Sequence, residues 1–468
     1  MNTHKGMIIS GLVLAAAAFC GPIESLQPGQ WYEVPNSHMS ALDPCPARNC
    51  AWSGASGQFS VVDTWSSAAF DTKRDRLLLW GGGHGSYAGN EIYAFDLNTL
   101  KWIRVTDPAP DVSGVSSMPE YPPWNGLIQP RSCHTYNYIQ YLASMDRFCS
   151  FGFTSPYPDG GQGGNAVHCF DFTANKWERR NASPGWGIAT MSAYDPVTGH
   201  GWVKGTDSHS WLAEFAPESG SIGKWFKRSS DSADFYYKYL MTMDIDPVAR
   251  KLVAVGGGEV WYWDISNPAK GVSQVLTTTT GSTSIVSEKN PGLAYDPVTG
   301  KILAWSSGQD IYSLDVPSKV WTKMTSGGAN PGQTSSVGTY GHFRYSPLKN
   351  VFMVVNSTAA NVFIYRHTAG TGMIEAKALA WKERAISAYP NPFHPSTLLS
   401  VDPGKSAQKA TMQIFDTRGR MVETLFKDRL LTGRTEIRWE PRDNAGGAFV
   451  ARLMLGKKCV TKKLFLLQ

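Results

Sequence analysis

The chain has 468 residues and a net charge of +6, and its Trp 17, Tyr 19, Phe 20 and Gly 46 are the mixture that strands and tight turns need. From Trp381 onward 16 Lys and Arg face 8 Asp and Glu, a net +8, so the remainder carries −2. That larger part has no basic stripe, which excludes nucleic acid as a partner, and the absence of long Leu, Ala, Glu and Lys patterns predicts an all-β protein.

The chain begins "MNTHKGMIISGLVLAAAAFCG", a short basic head followed by an apolar run that ends in small residues. This reads as a secretory signal over residues 1–20, and lipid attachment on Cys20 is the rival reading. Phe19 stands where a lipobox wants a small residue. No later segment is long and apolar enough to serve as a transmembrane anchor. Cys45, Cys50, Cys133, Cys149, Cys169 and Cys459 follow. Export to an oxidising compartment permits disulfides, with Cys45 and Cys50 closing a local loop and Cys149 with Cys169 as cross-strand neighbours. Their spacing fits no paired zinc knuckle.

An internal repeat accounts for most of the length. "AAFDTKRDRLLLWGGG", "SAYDPVTGHGWVKG", "MDIDPVARKLVAVGGG", "LAYDPVTGKILAWSSG" and "FRYSPLKNVFMVVN" each read as strand, turn, strand. The turns fall at Asp71, Asp195, Asp246, Asp296 and Ser346, with a weaker copy near Asp146, and the intervals are 75, 49, 51, 50 and 50 residues. The long first interval holds "VTDPAPDVSGVSSMPEYPPWNGLIQP", a Pro, Ser and Gly-rich loop without periodicity. A third strand ending in Asp and a fourth opening on Trp follow in three copies: Asp96 and Trp102, Asp171 and Trp177, Asp315 and Trp321. Four antiparallel strands per roughly fifty residues is the pattern of a propeller blade.

With Gly82, Gly83, Tyr93 and Trp102 in the first unit and Gly257 and Gly258 in the fourth, the repeat resembles the kelch family. The resemblance covers about Gly57 to Arg366 and implies a six-bladed kelch-type β-propeller over residues 27–368, or seven blades if the long insertion hides one. The sixth unit lacks its fourth strand. The orphan "QWYEVPNS", with Trp31, is expected to supply it and so remove a free edge. After a linker at 369–386, residues 387–468 alternate in short strands with frequent turn signals, as a small immunoglobulin-like β-sandwich would. "YPNPF", "IFDTRGRMV" and Trp439, in that order, resemble the C-terminal sorting domain of type IX secretion cargo. That resemblance implies outer-membrane secretion machinery as a partner and a location outside the cell or on its surface, reached through the periplasm. "AGGAFVARL" departs from the pattern and leaves the subtype open.

On such a scaffold the loops joining second to third strands and those leading into first strands share one face. They carry His84, Tyr87, Asn90, Arg131, His134, Tyr136, Asp207, His209, Tyr239, Tyr340 and Arg344. His84 and His134, on adjacent units, are the candidate catalytic pair. A His pair beside Tyr and Arg could abstract a proton next to a uronate carboxylate, which is lyase chemistry. The alternative is that each His bonds a loop backbone while the aromatics form a floor for sugars. Three functions therefore stay open: binding of a polymer, foremost a polysaccharide; cleavage of an acidic glycan; and protein interaction or adhesion. No cofactor is expected. Copper is set aside, since only Cys133 lies on a candidate loop to modify a tyrosine. The G-x-G-x-x-A of Gly83, Gly85 and Ala88 precedes a strand rather than a helix, so it is no phosphate cradle. A monomer is expected.

Overall fold

The computed structural model describes residues 21–109, 123–124, 127–152, 156–158, 167–182, 188–205, 211–229, 238, 240–369, 385–403, 407–416, 420–441, 446–455 and 458–467. The signal reading and Cys20 lie outside them. The chain divides into two compact units, residues 1–370 and 371–468, and both are built almost wholly of antiparallel sheet.

In the first unit, each repeat forms one sheet. The first sheet takes Ser67–Asp71, Arg76–Trp80, Tyr93–Asp96 and Lys101–Arg104 in order. The second takes Ile139–Leu142, Arg147–Ser150, Val167–Asp171 and Lys176–Arg180, and the third Met191–Tyr194, Gly201–Lys204, Leu212–Ala216 and Lys224–Lys227. The fourth follows with Thr242–Asp246, Lys251–Gly256, Glu259–Asp264 and Gln274–Leu276. The fifth has Gly292–Asp296, Lys301–Trp305, Ile311–Asp315 and Val320–Met324, with Thr280–Gly281 added in parallel outside. The sixth has Phe343–Ser346, Val351–Val354 and Phe363–Arg366. Its outer place is filled from the other end of the unit: Gln30–Glu33 runs antiparallel to Phe363–Arg366, with Trp31 opposite Tyr365.

The Asp that recurs in the sequence has a physical reason. Its carboxylate caps the hairpin by accepting the N–H groups two or three residues on. Asp71 Oδ1 accepts from Lys73 N and Arg74 N at 3.1 Å each, Asp246 Oδ1 from Val248 N at 3.0 Å and Ala249 N at 2.9 Å, and Asp296 Oδ1 from Val298 N at 2.9 Å. Ser346 substitutes with its hydroxyl, which accepts from Lys349 N at 3.1 Å. The residue that ends such a turn is left-handed: Arg250 has φ 54° and Gly300 has φ 68°. That explains the Gly of "DPVTGK".

Sheets meet face to face, so both faces of their second strands are apolar. Leu77, Leu78, Leu79 and Trp80 are all fully buried. One core joins Leu78 and Trp80 of the first sheet to Ile139 and Phe148 of the second and Val203 of the third. Trp202 of the third meets Trp263 of the fourth, Val253 of the fourth meets Ile302 of the fifth, and Trp305 of the fifth meets Phe352 of the sixth. Met353 and Ile364 of the sixth pack with Leu77 and Leu79 of the first. The first strands likewise touch in succession, and Phe343–Ser346 returns to Ser67–Asp71. Charged pairs reinforce the seams. The Arg250 guanidinium grips Asp195 of the preceding sheet at 2.8 and 2.7 Å, and Arg74 grips Asp146 at 2.6 and 3.0 Å.

Cys45 and Cys50 are bonded to each other, as are Cys149 and Cys169, which face one another in adjacent strands. The second unit has a three-stranded sheet, Ile386–Tyr389, Thr397–Val401 and Thr435–Trp439. Its four-stranded sheet is Met421–Leu431, Gln408–Asp416, Gly447–Leu455 and Lys458–Leu466. Leu399, Trp439, Ile414 and Leu453 from the two sheets share one core. Among the described residues no helix is long and apolar enough to cross a membrane.

Candidate functional site

The glycine run after Trp80 brings two segments together. Gly81, Gly82 and Gly83 have φ of 136°, 127° and 63°, which side-chain-bearing residues rarely adopt. A Cβ on Gly82 would lie 3.0 Å from Tyr87 Cβ and 3.1 Å from Ser132 Oγ. That close approach allows Gly82 N to donate to the Cys133 carbonyl at 3.2 Å and Gly83 N to Ser132 Oγ at 2.9 Å. His84 rides at the exposed tip of this turn with φ 46°. From below, Ala55 N donates to the Gly85 carbonyl and Ser56 N to that of Ser86, both at 2.9 Å.

The stitched partner segment carries His134. Its ring lies 5.9 Å from that of His84, 5.1 Å from Trp65 and 5.8 Å from Tyr136, and the ring of Tyr136 lies 6.4 Å from that of Tyr340. The residue is only 6% exposed, and among the described residues neither Nδ1 nor Nε2 has a hydrogen-bond partner. Burial first, then the charge of His84, pushes its pKa down to about 4, so the imidazole is neutral at ordinary pH. Tyr340 is 1% exposed, its hydroxyl has no partner among the described residues, and burial, then Tyr136, raises its pKa well above the usual phenol value.

Three aromatic residues here have left-handed backbones, a conformation that bulky side chains seldom adopt: Trp65 at φ 43°, Tyr136 at 39° and Tyr340 at 47°. Hydrogen bonds hold them in place. The Trp65 carbonyl accepts Tyr136 N at 2.6 Å and Thr135 N at 3.1 Å, and Tyr340 N donates to Asn290 O at 2.9 Å. Trp65 is 43% exposed above the buried His134. The sequence reading missed it, although Trp65, Asn290 and Tyr340 all stand six residues before their repeat's turn residue.

Other sequence candidates serve the framework. The Tyr87 hydroxyl donates to buried Glu91 at 2.5 Å, as does that of Tyr93 at 2.6 Å. Asn90 is buried, its Nδ2 donating to Pro130 O at 3.0 Å and its Oδ1 accepting from Ala109 N and Gln129 Nε2 at 2.9 Å each. Tyr87 and Asn90 are thus corrected from ligand-facing residues to braces of the turn, because a Gly-rich loop that packs inward must satisfy its own polar groups. Arg131 donates to Tyr157 O at 3.0 Å. Buried Arg344 donates from Nε and NH2 to the Ala68 carbonyl at 3.1 Å each, tying the sixth sheet to the first. Burial lowers the pKa of Arg344, and the charge of Asp244 on the fourth sheet opposes that shift only in part. Burial raises the pKa of Asp244 itself to about 6. Asp207, His209 and Tyr239 lie outside the described residues. Buried His342, which the sequence reading passed over, has Nδ1 2.9 Å from Thr339 O and Nε2 without a partner among the described residues. Among the described residues no three His, Cys, Asp or Glu side chains converge as a metal would require.

No family model and no curated protein matches the chain. Solved structures similar to it include the following two. One is PorZ, described as an essential surface component of the type-IX secretion system of Porphyromonas gingivalis, at 12% identity and a TM-score of 0.38 over 86% of this chain and 51% of that one. The chain thus spans about half the length of that protein. The other is a functionally unknown protein from Desulfotomaculum acetoxidans, at 9% identity and a TM-score of 0.40 over 81% and 89%. At these scores nothing about function transfers to this chain.

Proposed function

We propose that this is a secreted or cell-surface protein whose first unit is a six-bladed kelch-type propeller and whose second directs export by a type IX route. The propeller binds a polysaccharide where its first strands begin. Six successive sheets of four or five strands, each packed on the next and the sixth on the first, support the architecture. The binding reading is carried by His134. An imidazole with both nitrogens buried and unpartnered costs stability unless something supplies hydrogen bonds, and a sugar hydroxyl can donate to one nitrogen and accept from the other. Trp65, partly open above it, offers the flat face on which a pyranose stacks.

A second reading has a specific observation in its favour. The His84 and His134 rings are 5.9 Å apart, close enough to act on one substrate atom, as a lyase acting on a uronate would require. The purified full chain on a glycan array, with an ultraviolet assay for unsaturated uronate products, separates the two. Binding without product refutes the lyase, product formation establishes it, and neither leaves protein adhesion. Removal of residues 387–468 is expected to hold the protein in the periplasm; unchanged export would refute the sorting role.

A further inference from the structure

A cleft of about 730 Å³ opens on the outer side of the first unit, lined by Lys227, Arg228, Ser229, Lys270, Gly271, Val272 and Ser273. Among the described residues its lining holds three cations and no acid, in the part of the chain whose net charge is −2. The cleft joins two sheets. Lys227 and Arg228 end the outer strand of the third, and residues 270–273 lead into the outer strand of the fourth. Val272 N donates to the Arg228 carbonyl at 2.8 Å and closes the floor.

Two of the cations are held in place before any ligand arrives. The Lys227 ammonium lies 3.9 Å from the centre of the Trp211 ring, and the Arg228 guanidinium 4.7 Å from that of Phe226. The carboxylate behind the wall, Glu214, is already neutralised. Arg228 reaches its Oε2 from Nε at 2.7 Å and NH2 at 2.6 Å, and His200 Nδ1 lies 2.5 Å from its Oε1. Glu214 therefore does not repel an anion in the cleft, while Lys227 and Lys270 project exposed from either side. A site with fixed cations, hydroxyls and a closed backbone floor suits an oxyanion carried by a flexible polymer.

The geometry points to this cleft as a second binding site, separate from the mouth, for the sulfate or carboxylate groups of an acidic glycan. It stands whether or not the mouth binds sugar. The test is calorimetric titration of the full chain with a sulfated hexasaccharide and with a uronate hexasaccharide, in wild type, in the K227Q/K270Q double variant, and in K323Q as an exposed lysine control. Wild type is expected to bind at least one probe, and the arm that responds identifies the anion. The double variant is expected to bind it at least about tenfold more weakly, with a shallower salt dependence, while K323Q binds as wild type does. Unaltered thermal unfolding of the double variant shows that its fold is intact. Binding of neither probe, undiminished binding by the double variant, or an equal loss in K323Q overturns the site.

Discussion

At the far end of the first strands the recurring turn carboxylates are satisfied. Asp195 is fully buried, yet its two oxygens take Arg250 at 2.8 and 2.7 Å, Val197 N at 2.9 Å and Thr198 Oγ1 at 2.9 Å. Asp71 and Asp296 likewise use both oxygens. At the near end, His134, Tyr340 and His342 are as deeply buried and keep ring nitrogens or a hydroxyl without partners among the described residues. The left-handed residues divide the same way. Those of the turns between first and second strands are Asp75, Asp146, Gly199, Arg250, Gly300 and Asn350, whereas those of the mouth include Trp65, Tyr136 and Tyr340. A buried carboxylate that is satisfied builds a fold; a buried imidazole without partners among the described residues, beneath a half-open aromatic ring, is a place that a ligand can complete.

This contrast can be broken at either end. The largest effect is expected from Asp195→Ala, which strands a partly buried guanidinium and opens a turn: a loss of roughly 3–5 kcal/mol in denaturant unfolding. Asp264→Ala, which removes an exposed partner of Lys251, should cost less than about 1 kcal/mol. If the two variants are equally stable, the turn carboxylates are not structural. Next is Gly82→Ala. Its Cβ would press on Tyr87 and Ser132, so a loss of about 1–3 kcal/mol is expected together with weakened ligand binding, since the same turn sets the distance between the histidines.

A smaller effect depends on pH. Burial opposes protonation of His200, but hydrogen bonds to Glu214 and Glu218 outweigh it and raise the pKa. The stability this pairing contributes is complete below the unfolded-state pKa and is lost as pH rises through the raised folded value. Denaturation midpoints measured across that range should fall by about 1 kcal/mol in wild type and stay level in His200→Gln. At the mouth the sign reverses. His134→Phe removes two unpartnered nitrogens and should leave stability unchanged or raise it by up to about 1 kcal/mol, while glycan binding is lost. Trp65→Ala, at a half-open position, should shift stability by less than about 0.5 kcal/mol and weaken glycan binding several-fold. A destabilised His134→Phe would mean that the imidazole is a core residue.

What the sequence makes legible follows the same division. The turns at Asp71, Asp195, Asp246, Asp296 and Ser346 can be read because their function is local: an oxygen two or three residues from the N–H it caps. Trp31 can be read as an outer strand because it is an unpaired copy of a recurring element. The mouth is legible only in part. His84 and His134 stand out as polar residues in glycine-rich or aromatic loops, but Tyr87 and Asn90 share that signal and turn inward. Trp65 carries no composition signal, since its role depends on a backbone torsion and on its place six residues before the turn. The short additions Thr280–Gly281 and Gly327–Gly328 are invisible in sequence because two residues have no periodicity.

Gln30–Glu33, the first strand in the chain, belongs to the last sheet to be made. During synthesis it must wait for more than three hundred residues before Phe363–Arg366 arrives to pair with it. Non-local pairing of that span is slow, so the unit remains incompletely folded until its final repeat is made. Once formed, the clasp makes the beginning and the end of the unit mechanically one piece. A pull on the two ends of the unit loads the Trp31 and Tyr365 ladder before any other sheet.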